Sequence, residues 1–131
     1  ALLRRTEPGP DEPSEEVDEI LTHAREAEVA EEPDDRLACI IALKDALATA
    51  IESAHDREEE DYRDALVLIK WAAHNTYAED MTPTQLHGLV EAAELLLADT
   101  VDQDTVGKVS RALREHDLDY IRPLASVEEE A

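Results

Sequence analysis

Between Ser14 and Leu124, apolar residues return every third or fourth position, and no stretch alternates in the manner of a half-buried strand. The pattern predicts helices throughout. A first helix begins at Ser14, a good N-cap residue followed by Glu15 and Glu16 in the first turn. Its inner face is Val17, Ile20, Leu21, Ala24 and Ala27, and Pro33 closes it. A second helix starts near Asp34 and runs to His55. Ile40, Leu43, Leu47, Ile51 and Ala54 make a bulky face, and Cys39, Ala42, Ala46, Ala50 and Ser53 make a small one. A helix apolar on two sides is expected to lie buried between neighbours, so this second helix is read as the central element.

A third helix is predicted from Arg57 to Ala78, with Tyr62, Ala65, Leu66, Ile69, Ala73 and Thr76 inward. The stretch "MTPTQL" then carries the clearest local signal in the chain: Thr82 as N-cap, Pro83 at the first helical position and Gln85 placed to complete a capping box. The fourth helix follows to Ala98, through Leu86, Leu89, Val90, Ala93, Leu96 and Leu97. It is interrupted by Gly88, which costs about 1 kcal/mol against Ala and implies a close helix crossing. A fifth helix starts after Asp102 with Val106, Val109 and Leu113 inward, and the pattern breaks at Asp117 to Asp119. Tyr120, Ile121 and Leu124 are expected to fold back on the bundle. Short connections make sequential helices antiparallel neighbours. The expectation is therefore a single all-α, mostly antiparallel five-helix bundle over residues 14–124. A flexible Pro-rich segment precedes it (1–13), and a disordered acidic tail follows (125–131).

Charge changes this picture. The chain has 34 acidic residues against 12 basic ones, a net charge of −22. Acid outnumbers base in every third of the chain, so this is not an acidic tail on a neutral domain. Without clustered cations to displace counterions, direct nucleic-acid binding is disfavoured, and so is binding to an anionic membrane. Lysines are few (Lys44, Lys70, Lys108), and Phe is absent. The mixture resembles proteins of salt-loving archaea, where molar KCl screens repulsion within a few ångströms and carboxylates hold water and K+ at the surface. At low salt the same charge pushes the compact state apart. No signal-like or membrane-spanning run occurs, which points to the cytoplasm. The rival explanation is acidity that serves a basic partner, as in a decoy or antitoxin-like protein.

The densest acid run is "HDREEEDYRD" at 55–64. Local physics accounts for it as a wet helix start, with Asp56 and Glu59 in capping-box spacing and Glu59 four residues before Arg63. Glu52 and His55 have the Glu-x-x-His spacing of di-iron bundles, but such sites need a second copy and further glutamates. They are a weak metal candidate. His23, His74 and His87 lack a Cys or second His at ligand spacing and read as surface or boundary residues. Cys39 can form no internal disulfide and reads as a small core residue. No phosphate-cradling Gly-rich loop or triad-like spacing appears, and no cofactor is implied.

Arg111 and His116 resemble the Arg-x4–6-His signature of HEPN-type helical ribonucleases, a family that is also all-α. The resemblance would make them a catalytic pair acting on RNA. The polar residue usual after the Arg is replaced here by Ala112. The stronger functional signal is Val67, Leu68 and Trp71, an apolar patch opposite the core face of the third helix. Trp is the residue most enriched at binding hot spots. The expectation is a small non-enzymatic interaction module that works through this patch on a protein partner or a second copy of itself.

Overall fold

Proline and capping chemistry place the helix starts. In the computed structural model, which describes residues 13–75, 80–98 and 100–118, the helices are α1 (Pro13–Val29), α2 (Pro33–Asp56), α3 (Glu60–His74), α4 (Pro83–Leu95) and α5 (Gln103–Glu115). There is no strand among the described residues. Pro33 and Pro83 sit in the first turn, where the missing N–H is not needed. Thr82 forms the full capping box: its hydroxyl accepts from the Gln85 N–H, and the Gln85 side chain accepts from the Thr82 N–H. Asp102 caps α5 by accepting from the backbone and the hydroxyl of Thr105. Those bonds favour the ionised carboxyl and hold its pKa below the ordinary value.

The turn between α2 and α3 differs from the expected capping box. The second helix runs on through Asp56, and Arg57 is its C-cap. Glu58 adopts a left-handed conformation (φ 61°), Glu58 N–H donates to the His55 carbonyl and Glu59 N–H to the Ala54 carbonyl. This is a Schellman ending, with Glu where Gly is usual. Glu59, not Asp56, becomes the N-cap of α3, and its side chain makes no cap bond, being taken instead by Arg57. A left-handed residue with a Cβ is strained by roughly 1–2 kcal/mol, part of which Gly recovers. Glu58→Gly is therefore expected to stabilise the fold by about 1 kcal/mol, read as a higher urea midpoint with an unchanged slope. An unchanged midpoint would show the strain is absent.

Packing closes the five helices into a ring: α1 on α2 and α4, α4 on α5, α5 on α3, and α3 back on α2, with a weaker α3–α4 contact. Cross-helix bonds give the directions. Glu16 on α1 meets Arg57 after α2, so α1 and α2 run antiparallel. Arg25 pairs with Glu94 and Glu28 with His87, so α1 and α4 do too. A ring of five cannot alternate throughout. The parallel pair is α3 and α5, whose first turns are joined by the Gln103 amide donating to Asp61. The core is filled by side chains such as Ile20, Ile40, Leu43, Leu66, Ile69 and Leu89.

The second helix buries Ile40, Leu43, Leu47, Ala50 and Ala54 and packs chiefly between α1 and α3. Its small face is half-buried rather than enclosed, because Ala42, Ala46, Thr49 and Ser53 line an open groove of about 470 Å³ under Glu15, Glu19 and His23 of α1. Small side chains here bring α1 close without another helix covering them. Thr76, the last turn expected of the third helix, the fold-back of Tyr120, Ile121 and Leu124, and the tail 125–131 lie outside the described residues. So do residues 1–12 of the expected lead-in.

Candidate functional site

The apolar patch is present but shallower than expected. Val67, Leu68 and Trp71 are all half-buried. Leu68 packs against the core cluster, while the Trp71 ring meets His74 edge-on at 5.4 Å and carries the Lys70 ammonium 5.7 Å from its centroid. More exposed apolar side chains lie on α2, where Leu37 is 47% and Ile41 51% exposed. The Arg63 guanidinium contacts His55 Nδ1 at 3.3 Å, which sets the start of α3 beside the end of α2 in the antiparallel hairpin. Counting back along both helices at equal rise puts Ile51 level with Val67 and Ala48 level with Lys70 and Trp71. The second and third helices thus share an outer face, with Ile41 and Leu37 about two and three turns back from Ala48 toward the start of α2.

The acid run at 55–64 is a joint. Glu16 is only 8% exposed. Its Oε1 accepts from Arg57 Nη2 and from the buried Tyr62 hydroxyl, each at 3.1 Å, and its Oε2 accepts from Arg57 Nη1 at 3.3 Å. Arg57 Nε donates to Glu59 at 2.8 Å. Burial, with the Glu16 carboxylate beside it, pushes the Tyr62 hydroxyl far above its ordinary pKa. Glu52 and His55 are exposed on the last turns of α2. The Arg63 guanidinium lies 3.3 Å from Nδ1 of the His55 ring.

Arg111 is exposed and His116 half-buried at the C-cap of α5. Five residues on a helix turn the direction by about 140°, so the two project onto different faces. His116 instead faces α4. Its Nδ1 lies 2.8 Å from the Ala112 carbonyl, and its Nε2 lies 3.7 Å from Glu91 Oε2. His87 Nε2 reaches the same Glu91 oxygen at 2.9 Å, and His87 Nδ1 lies 2.8 Å from Glu28 Oε2 on α1. The two imidazole centroids are 5.7 Å apart.

This cluster went unseen in the sequence because His116 arrives from another helix end. The available signals were His87 and Glu91 at i, i+4 and the odd Gly88 between them. A Cβ on Gly88 would lie 2.5 Å from His116 Cβ and 2.9 Å from its Cγ. The glycine is the floor on which His116 rests. Asp117, left-handed at φ 63°, ends α5 with another Schellman turn, and its carbonyl accepts from the Gln85 amide at 2.9 Å. The end of α5 is thereby tied to the start of α4.

Cys39 is half-buried and free, and burial, helped by Glu26 and Asp35, raises its thiol pKa, as suits an inert side chain. No described helix is long and apolar enough to cross a membrane. No protein-family model matches this chain, and comparison with curated proteins and with solved structures finds no match either.

Proposed function

We propose that the chain is a non-enzymatic helical interaction module of a high-salt cytosol, and that it pairs with a second copy of itself through the outer face of the α2–α3 hairpin. The observation that carries this reading is the half exposure of Leu37 and Ile41 on the same hairpin as Val67 and Trp71. The other exposed large apolar side chains among the described residues, Val29 and Leu97, stand at or past the ends of α1 and α4, and the chain is otherwise rich in carboxylates, which gain nothing from facing one another. Molar salt weakens ion pairs, whereas burial of apolar side chains survives it. Screening also removes the repulsion between two copies that each carry −22.

Sedimentation equilibrium across a KCl series tests this. A dimer is expected in molar KCl, dissociating and then unfolding as salt is removed, and Trp71→Ala combined with Ile41→Glu is expected to give a helical monomer at every salt concentration. A wild-type chain that stays monomeric throughout would remove the self-association reading. A fold that is equally stable at low salt would shift the explanation of its acidity to a basic partner surface.

A further inference from the structure

We propose that His87, Glu91 and His116 form a binding site for a divalent transition cation, with zinc the best chemical fit. The inference does not depend on how the hairpin face is used. The ligand atoms of these three residues already lie within 4.8 Å of one another. A tetrahedral zinc with bonds of about 2.0–2.1 Å sets neighbouring ligand atoms about 3.3 Å apart. The separations to Glu91 Oε2, 2.9 Å from His87 Nε2 and 3.7 Å from His116 Nε2, bracket that value.

The outer contacts are those of a metal site. A carbonyl can only accept, so the Ala112 oxygen fixes the proton of His116 on Nδ1 and leaves Nε2 directed at Glu91. Glu28 does the same for His87, giving a carboxylate–histidine pair behind the ligand nitrogen. Both rings are thus held in the tautomer that ligates through Nε2. Gly88 provides the room for His116, and the Asp117–Gln85 bond holds the end of α5 in place.

His87 lies between the carboxylates of Glu28 and Glu91, its Nδ1 toward the first and its Nε2 toward the second. Two imidazoles and one carboxylate suit zinc, cobalt or nickel and disfavour magnesium and calcium, which prefer oxygen alone. The fourth position opens to solvent on the side where His87 and Glu91 are half exposed.

The test is titration of chelator-treated full chain in molar KCl, where loose cation binding to carboxylates is screened, with ZnCl2 followed by calorimetry and CoCl2 by its visible ligand-field bands. One ion per chain, with two imidazoles in its X-ray absorption spectrum, is expected. His87→Asn, Glu91→Gln and His116→Gln, each checked for helicity, should lose stoichiometric uptake. Glu28→Gln should weaken it about tenfold, while His23→Ala should leave it unchanged. No uptake by the wild type, uptake matched by MgCl2, or uptake without imidazole scattering would each overturn the site. So would undiminished binding by the His87 and Glu91 variants. The absorption spectrum of the wild type decides the matter even if a variant fails to fold.

Discussion

Arg57→Ala is expected to destabilise the fold by roughly 3 kcal/mol, the lower part of the range for stripping a buried ion of its partner. Glu16 is the reason. Its carboxylate is buried at the start of α1 and receives a two-pronged guanidinium contact and the Tyr62 hydroxyl. With the arginine gone, only one donor of that set remains, and the charge stays in a poorly solvated site. Lys would not substitute, because a point charge cannot reach Glu16 and Glu59 together with the same planar fork. The pair need not be worth much as a pair. Replacing both members, Glu16→Leu with Arg57→Met, should return stability to within about 1 kcal/mol of wild type, since apolar replacement of buried ion pairs is often neutral. Urea unfolding in molar KCl measures both. Partly buried pairs are screened much less than exposed ones, so the single-mutant loss should persist at high salt. A loss under about 1 kcal/mol, the range of exposed pairs, would mean that Glu16 is solvated after all.

The same residues show what a sequence can and cannot disclose here. Helix periodicity is a local property, so Val17, Ile20, Ile40, Leu47, Ile69, Leu89 and Leu113 could all be assigned inward, and all are buried. The Thr82 box and the Asp102 start are local as well, and both caps form. The ending of α2 was not legible, because a left-handed turn without glycine gives no signal in composition. Asp56 and Glu59 have the right spacing for a cap, but Arg57 is more strongly engaged with Glu16, far away in sequence. A tertiary ion pair thus overrode a local rule. The open groove beside the second helix's small face was hidden for a related reason. Small residues on a helix face show that something approaches closely, not that it covers the whole face. The His87–Glu91–His116 cluster lies one level further out. It depends on which helix ends meet, and that follows from the closure of the five-helix ring.

Gly88 and Gly107 should respond to the same substitution with opposite signs. Both interrupt helices, and in an open helix interior Gly→Ala gains about 1 kcal/mol from propensity alone. Gly107 is exposed on α5 with nothing within 4 Å of where a Cβ would stand, so Gly107→Ala should show that full gain. Gly88 is buried, and its Cβ would strike His116 Cβ at 2.5 Å, His116 Cγ at 2.9 Å and Leu118 Cδ1 at 3.0 Å. The nearest of these atoms is next to the backbone, so relief requires the last turn of α5 to lift from α4. Overpacking of this kind costs about 1–3 kcal/mol, and lifting the turn also strains the Asp117 carbonyl's bond to Gln85. The propensity gain offsets only part of this, leaving Gly88→Ala about 2 kcal/mol destabilised. In a domain of this size 1 kcal/mol corresponds to about 4 °C. Thermal unfolding at fixed molar KCl should therefore place Gly107→Ala above wild type by about 4 °C and Gly88→Ala below it by about 8 °C. The Gly88 variant should also hold His116 away from Glu91 and bind zinc more weakly, although no ligand has changed. If both glycine variants melt above wild type, the close approach of His116 to α4 is not a feature of the folded chain.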